Sequence, residues 1–259
     1  MTLITKDFST GYQDNKIIKS ISLSLERSEW LGIIGANGSG KSTFLKGISR
    51  ILDVYSGSAY LYGQDIHHSS TKEIAKKISV LPQHQSLNLT LSVYELVCLG
   101  RSPHKKWWEL DLDEFDHLKV ERSIELTDMT AFKDKPVHTL SGGQRQRAFL
   151  SLALAQDAKT LLLDEPTTFL DLRYQLQFLD LLKKLNQEEE LSIITVIHDV
   201  NLAARYCDRI AVIKDGQLLA IDSPREVLSK ELMKQAFQVE THQIETPIGF
   251  QICIIKPDN

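Results

Sequence analysis

The chain has 259 residues, of which 42% are hydrophobic and 25% charged, and its formal net charge is −4. These values are ordinary for a soluble globular protein, and the negative charge argues against broad electrostatic binding to nucleic acid. The start, MTLITKDFSTGY, lacks the apolar segment of a secretory signal, and no run approaches the roughly 18 apolar residues that span a bilayer. We therefore expect a cytoplasmic protein with no nucleic-acid partner, and with either one large domain or a core domain that carries an inserted subdomain.

The N-terminal third predicts antiparallel strands followed by a glycine loop and a helix. Residues 1–30 include IIKSISLSL, which alternates apolar and polar positions as a half-buried strand does. EWLGII is short and apolar, which indicates a buried strand running into the loop. Apolar residues then recur at helical spacing, so we expect a helix from Gly40 to about Leu52. SGSAYLYGQDI predicts a turn, a short strand and another turn.

The rest of the chain predicts a helical insertion and then strand–helix units. Residues 84–138 show helical patterns without strong strand signals. TLLLDEP and LSIITVIHD are apolar β runs that each lead into a helical segment, which is typical of a parallel sheet. AVIKDGQLLAI predicts a hairpin, with Asp215-Gly216 in a type I′ turn. The tail begins with a helical pattern, PREVLSKELMKQAF, and GFQICIIK near its end is compatible with a strand.

The cysteines and histidines do not form a metal-binding pattern. Cys98, Cys207 and Cys253 are widely spaced without a CxxC pair, so we expect buried free thiols rather than a disulfide framework or a zinc site. His67-His68 are adjacent, so their side chains point in different directions, and no partner follows at ligand spacing. We expect them to lie in a solvated turn.

The sequence GANGSGKST matches the phosphate-binding pattern G-x-x-x-x-G-K-[ST] between a predicted strand and a predicted helix. Its glycines allow successive backbone N–H groups to surround phosphates, and the helix points its positive end at the same anion. Lys41 would reach the β- and γ-phosphates, and the Ser42 hydroxyl would bind Mg²⁺. The alternative is a glycine-rich turn that precedes a lysine by chance, which the strand–helix context disfavours.

Two apolar strands end in residues suited to phosphate chemistry. Asp164 and Glu165 end TLLLDEP, where adjacent carboxylates repel unless a cation and a water lie beside them. Asp164 would then orient Mg²⁺, and Glu165 would polarise the water that attacks the γ-phosphorus. His198 follows SIITVI at the carboxyl end of a strand, where ligands of open α/β sheets bind. The alternatives are a solvated strand end and a structural or surface histidine.

The segment LSGGQRQR predicts a second anion-binding helix start. Ser141 would cap a helix that begins near Gly142, and the adjacent Gly142 and Gly143 would let an anion approach the backbone. The alternative is an ordinary serine-capped helix. Gln83 and Tyr12 indicate nothing by themselves, because an isolated amide offers only hydrogen bonding and an isolated aromatic ring more often serves packing than base stacking.

Taken in order, these segments resemble the nucleotide-binding subunit of an ATP-binding-cassette transporter. Residues 35–43 resemble the Walker A loop, 161–165 Walker B and 140–144 the signature; Gln83 matches the Q-loop glutamine, Asp171 in FLDL the D-loop and His198 the switch histidine. The resemblance assigns catalytic roles to four residues: Lys41, Gln83, Glu165 and His198. It assigns Mg²⁺ binding to Ser42, Gln83 and Asp164. The ATP-binding residues that it implies are Tyr12, which would stack on adenine, with Gly35, Ala36, Asn37, Gly38, Ser39, Gly40, Lys41, Ser42, Thr43, Ser141, Gly142, Gly143, Gln144 and Asp171.

The resemblance also implies a fold class and a division of the chain. It predicts an α/β P-loop NTPase (RecA-like) core with an N-terminal antiparallel β subdomain and an inserted helical subdomain. The core with its β subdomain would comprise residues 1–83 and 159–235, and the helical, signature-bearing part residues 84–158. Residues 236–259 would form a C-terminal tail, which the resemblance does not cover.

The same resemblance implies partners. Two copies would meet head to tail, so that Ser141 and Gly143 of each contact the ATP on the other's Walker A loop. A separate membrane permease would hold the dimer at the cytoplasmic face, and an extracytoplasmic substrate-binding protein would act indirectly. LSVYELVCLGRSPH and LALAQDAKTLLLDEPTTFLDL resemble ATPases that import iron–siderophores, haem and vitamin B12, which favours siderophore import. The alternatives are another importer or an exporter, a soluble ATPase acting on DNA or ribosomes, and a non-hydrolysing regulatory subunit.

Overall fold

The computed structural model describes residues 1–83, 90–106, 111–247 and 249–257. Its strands, in chain order, are β1 (Leu3–Tyr12), β2 (Asn15–Leu25), β3 (Trp30–Ile34), β4 (Val54–Leu61), β5 (Gln64–Asp65), β6 (Ile78–Leu81), β7 (Thr160–Asp164), β8 (Ser192–Val196), β9 (Arg209–Lys214), β10 (Gln217–Asp222), β11 (Val239–Thr246) and β12 (Gly249–Pro257). Its α-helices are α1 (Lys41–Ile48), α2 (Thr71–Ala75), α3 (Val93–Cys98), α4 (Glu114–Leu126), α5 (Gly142–Ala155), α6 (Leu172–Glu188), α7 (Val200–Tyr206), α8 (Pro224–Val227) and α9 (Lys230–Phe237).

The chain folds into two compact units, residues 1–69 with 192–259 and residues 70–191. The first unit contains an antiparallel sheet in the order β2-β1-β4-β5 and a second set of strands in the order β10-β9-β3-β8. In that second set, β3 is parallel to both β8 and β9. Strands β3 and β8 are buried along their whole length, in agreement with their predominantly apolar sequences. The predicted antiparallel start and parallel pairing are therefore confirmed within this unit.

Several predicted boundaries in the first unit are wrong by a few residues. Helix α1 ends at Ile48 rather than Leu52, because Arg50 adopts a left-handed backbone conformation with φ of 64°. Strand β4 begins at Val54, before the predicted turn, because it pairs with β1 from that residue. The expected hairpin turn is confirmed, since Asp215 and Gly216 both have positive φ.

The tail differs most from its sequence pattern. The single helical segment predicted from PREVLSKELMKQAF is two helices, because Ser229 caps a new helix by accepting a hydrogen bond from the Leu232 N–H. Beyond α9, Gln238 has a left-handed conformation and two strands follow, where the sequence indicated only one. These strands, β11 and β12, form an antiparallel hairpin.

The second unit combines the parallel strands β6 and β7 with helices α2 to α6. The predicted helical insertion is confirmed in α3, α4 and α5; its residues 84–89 and 107–110 lie outside the described part of the chain. Local capping defines two of its helices. Ser92 with Glu95 and Asp113 with Asp116 form reciprocal capping boxes at the starts of α3 and α4.

A buried ion cluster connects α4 to the segment that follows α3. Arg101 donates to the Asp116 carboxylate at 2.8 Å and to the Ala155 carbonyl at 2.7 Å, and Lys105 also pairs with Asp116. The Arg101 and Asp116 side chains are only 2% and 3% exposed. Although burial raises the pKa of Asp116, hydrogen bonds from Lys105 and Arg101 dominate and lower it to about 2. Asp116 is therefore charged and paired at neutral pH.

We expect Asp116→Asn to lower the free energy of unfolding by about 3 kcal/mol at pH 7, because it leaves the buried Arg101 guanidinium without its carboxylate. Since the folded pKa lies below the ordinary 3.8, the contribution of this group is complete above about pH 4 and is lost as the pH falls towards 2. Urea unfolding should show the gap between wild type and variant closing over that range. Glu125→Gln, which removes an exposed pair with Arg122 on the same helix, should cost under about 1 kcal/mol. A pH-independent gap would contradict the assignment.

The cysteine and histidine expectations are partly wrong. Cys207 is a buried free thiol, but Cys98 is only half-buried and Cys253 is exposed on the tail hairpin. His67 is half-buried rather than solvated, because its ring packs on Phe8 with centroids 5.8 Å apart. Within the described ranges, no group of three histidine, cysteine, aspartate or glutamate side chains is placed to hold a metal ion. No helix there has the length and hydrophobicity that a membrane span needs.

Candidate functional site

The glycine loop of the first unit lies between β3 and α1. Gly35, Gly38 and Gly40 have φ of 153°, 77° and 103°, which bulkier residues rarely adopt. The Lys41 ammonium donates to the Gly35 and Ala36 carbonyls at 3.0 Å each, so the lysine folds back over the loop. Because the lysine is only 5% exposed, water screens its positive charge only weakly, and the charge acts mainly at the loop.

Packing against the β9–β10 hairpin supports this loop. A Cβ atom on Gly35 would lie 2.1 Å from the Ile213 carbonyl oxygen, so only glycine fits there. The Gly216 N–H donates to the Ser39 carbonyl at 3.0 Å. The buried Ser39 hydroxyl has no hydrogen-bond partner in the described residues. The buried Lys41 ammonium, the open space around Gly38 and the unsatisfied Ser39 hydroxyl together fit a phosphate group.

Tyr12 and His198 belong to the same unit as the loop. Tyr12 ends β1 with a 43% exposed ring, and Lys46 of α1 lies 5.7 Å from its centroid and 3.2 Å from its hydroxyl. Ile33 and Val196 are paired in the parallel register of β3 and β8, so Gly35 and His198 each lie two residues beyond that pair. The structure therefore brings the loop and His198 to the same edge of the sheet, where such sheets bind ligands.

In the second unit, two carboxylates with different surroundings lie at the C-terminal end of β7. Asp164 is 7% exposed at the strand end, whereas Glu165 is half-buried and has a φ of 51°, an unusual conformation for a non-glycine residue. The Gln83 side-chain amide donates to a Glu165 carboxylate oxygen, and the Thr168 hydroxyl lies 3.2 Å from the same oxygen. Glu165 is therefore held by two donors and aimed by a strained backbone.

Thr168 was not predicted from the sequence. The only sequence signal for it is a hydroxyl three residues after Glu165, in a segment that turns at Pro166. That signal is weak because hydroxyls are common in turns.

The signature segment starts α5 in the second unit as predicted. Ser141 accepts a hydrogen bond from the Gln144 N–H, and the Gln144 side chain bonds the Ser141 N–H in return. A Cβ atom on Gly143 would lie 3.2 Å from the Tyr174 ring, so a larger residue would press on α6. Ser141 itself is exposed.

The segment before α6 lies beside this helix start. Asp171 caps α6 by accepting from the Tyr174 N–H at 3.1 Å, and its neighbours Phe169 and Leu172 are about 70% exposed. A cavity of about 230 Å³ is lined by Gln83, Gly142, Arg145, Gln146, Glu165, Pro166, Phe169 and Leu170. The second unit therefore brings the start of α5, Gln83 and Glu165 around one cavity.

A sequence model of the family described as "ABC transporter" matches residues 18–168, which is more than half of the chain. This chain belongs to the ABC transporter family. As an ABC transporter ATP-binding protein it is an ATPase coupled to transport, and the α/β P-loop fold class predicted from its sequence is confirmed.

Curated relatives match nearly the whole of this ABC ATPase. It is 41% identical over 246 residues to the iron(3+)-hydroxamate import ATP-binding protein FhuC of Bacillus subtilis (strain 168), covering 95% of this chain and 91% of that protein. It is 40% identical over 253 residues to the petrobactin import ATP-binding protein FpuD of Bacillus anthracis, covering 97% and 92%.

Solved structures agree with this fold. A putative metal-chelate type ABC transporter in an inward-facing conformation superposes with a TM-score of 0.85 at 24% identity, covering 98% of this chain and 97% of that one. The cassette MJ0796, solved as a dimer in a post-hydrolysis state bound to ADP and Pi, superposes with a TM-score of 0.72 at 28% identity, covering 86% and 99%.

Proposed function

We propose that this ABC ATPase hydrolyses ATP to power the import of a ferric-siderophore-type chelate through a separate membrane permease. The observation that carries the proposal is the 40–41% identity, over at least 95% of the chain, to two import ATP-binding proteins named for iron(3+)-hydroxamate and petrobactin. The permease would hold the ATPase at the cytoplasmic face of the membrane, and an extracytoplasmic substrate-binding protein would deliver the chelate.

The first unit contains the groups that would bind the nucleotide. The backbone N–H groups of the glycine loop and the folded-back Lys41 are suited to the β- and γ-phosphates, where a fixed positive charge stabilises the charge that develops during transfer. The exposed Tyr12 ring would stack on adenine. His198, on the same sheet edge as the loop, would contact the γ-phosphate through its imidazole.

The second unit supplies the proposed general base. Glu165 would accept a proton from the attacking water, and the donors Gln83 and Thr168 would keep its carboxylate in one orientation. The proposed Mg²⁺ donors are a serine hydroxyl (Ser42), an amide oxygen (Gln83) and one carboxylate (Asp164), a hard oxygen set that fits this ion, which commonly keeps several waters. When bound, Mg²⁺ would neutralise charge on the phosphate oxygens.

Two copies would complete each other's nucleotide sites. The exposed Ser141 and the neighbouring Gly142 and Gly143 begin a 14-residue helix whose N-terminus favours an anion. Asp171 caps the adjacent helix, and Phe169 and Leu172 beside it expose apolar surface that a second copy would cover. The dimeric state of MJ0796 supports this arrangement. ATP would hold the dimer together through its γ-phosphate, and hydrolysis would remove that bridge.

The proposal is tested by uptake into cells that lack the gene. We expect uptake of ⁵⁵Fe-labelled ferric hydroxamate or petrobactin to fall to background and to return when the wild-type gene is restored. Introducing a gene that carries Lys41→Ala instead should leave uptake at background, because the loop then lacks the lysine that would bind the phosphates. Unchanged uptake of ferric chelates, together with lost uptake of haem or cobalamin, would refute the siderophore assignment. ATPase activity that co-purifies with ribosomes or DNA rather than with a permease would refute the transport role.

A further inference from the structure

The tail hairpin is tied to α7 by a paired amide contact. The Asn201 side-chain nitrogen donates to the Ile252 carbonyl at 3.1 Å, and the Ile252 N–H donates to the Asn201 side-chain oxygen at 2.8 Å. A carboxamide that bonds both backbone groups of one residue replaces the neighbour that a strand edge would otherwise need. Asn201 therefore satisfies the open edge of β12 at this residue.

The register of the hairpin explains why Ile252 is available for this contact. Ile252 lies opposite Gln243, and residues of an antiparallel pair alternate between those that bond across the ladder and those that do not. Because both backbone groups of Ile252 bond Asn201, they are directed to α7 rather than to β11. The Ile252 side chain is also buried, with 3% exposure. Ile252 is thus held both by the hydrogen bonds of its backbone to Asn201 and by the burial of its side chain.

Asn201 lies in the first turn of the helix that follows His198. The Asp199 carboxylate caps this helix by accepting from the Asn201 N–H at 2.8 Å and the Leu202 N–H at 3.1 Å. On the other side of His198, the Ile197 N–H donates to the Ile33 carbonyl at 3.1 Å and extends the β3–β8 ladder. The backbone of His198 is therefore fixed by β3 on one side and by the cap of α7 on the other.

We propose that Asn201 is a positioning residue for His198 and that the tail hairpin braces the first turn of α7. This inference rests on the proposed contact between His198 and the γ-phosphate. Nucleotide binding depends mainly on the glycine loop and Lys41, whereas a shift of about 1 Å in a catalytic group is enough to lower the rate of chemistry by up to 100-fold. Loss of the brace should therefore reduce kcat and leave the KM for ATP unchanged.

The first test uses an isosteric variant in the transporter complex with its permease. Asn201→Asp places a carboxylate oxygen against the Ile252 carbonyl and breaks the pair, while an acidic residue in the first turn favours the helix itself. We expect kcat to fall about tenfold at unchanged KM. Gln243→Ala is the matched control, because it removes a hairpin hydrogen bond to the Leu228 carbonyl and leaves the Asn201–Ile252 pair intact. The control should turn over at the wild-type rate.

A double-variant cycle identifies the residue through which Asn201 acts. We expect Asn201→Asp to have no further effect on kcat when His198 is already alanine, since the positioned group is gone. The same tenfold loss in that background, an increase in KM, or wild-type turnover of the single variant would overturn the inference. Wild-type turnover of His198→Ala would instead refute the proposed role of His198, and a wild-type complex without ATPase activity would refute the proposed function itself.

Discussion

Glu165→Gln should bind ATP with wild-type affinity, accumulate as an ATP-bound dimer and hydrolyse ATP at least about 100-fold more slowly. A glutamine cannot accept the proton of the attacking water, and a positioned general base contributes roughly 10²–10⁴ to the rate. ATP-dependent dimer formation by size-exclusion chromatography and phosphate release should be measured on the same preparation. With hydrolysis blocked, the γ-phosphate bridge persists and the dimer should not dissociate.

The contacts of Glu165 make this variant a clean test. The Gln83 amide and the Thr168 hydroxyl both bond one carboxylate oxygen, and the amide oxygen of a glutamine can accept from both. The unusual backbone conformation at this residue is kept because the side chains have the same shape. Glu188→Gln, at the exposed end of α6, serves as the control and should hydrolyse ATP normally. Normal turnover of Glu165→Gln would remove Glu165 from its proposed role.

The fold was predictable where the sequence signal is local and strong. The alternation in β2, the mainly apolar runs of β3 and β8 and the Asp215-Gly216 turn are each signals that extend over only a few residues. The prediction failed for the tail because the features that determine its structure do not produce a periodic sequence pattern. One serine cap splits the predicted helix, and β11 exists because it pairs with β12, whose edge is bonded by Asn201.

The sequence motifs of the candidate site could be predicted, but the contacts between its residues could not. The glycine loop can be predicted from the sequence because few sequences place three glycines before a lysine at a strand–helix junction. The Gln83–Glu165 hydrogen bond joins residues 82 positions apart, and no pattern near either residue indicates it. The roles of these residues in catalysis stay predictions, which the variants test.

Ser141→Arg should leave ATP binding by the isolated chain intact and reduce dimer-dependent hydrolysis by at least about 100-fold. Ser141 is exposed at the start of α5, so a long cationic side chain there would displace the serine hydroxyl from the partner's nucleotide and block hydrolysis at that site. Nucleotide affinity of the monomer and steady-state ATPase activity are the two measurements. Ser70→Arg is the matched control, because Ser70 is also exposed and caps α2 with the same type of capping box. Loss of that cap costs only about 1 kcal/mol of stability, so hydrolysis should persist.

Mixing variants decides which chain the signature serves. In a dimer of one Ser141→Arg copy and one Lys41→Ala copy, a shared arrangement puts both defects in one nucleotide site and leaves the other site complete. Hydrolysis should then recover when two inactive preparations are mixed. If the signature instead served the nucleotide of its own chain, every site in the mixed dimer would carry a defect and no activity would return. Loss of ATP binding by the Ser141→Arg monomer would point to the same contrary conclusion.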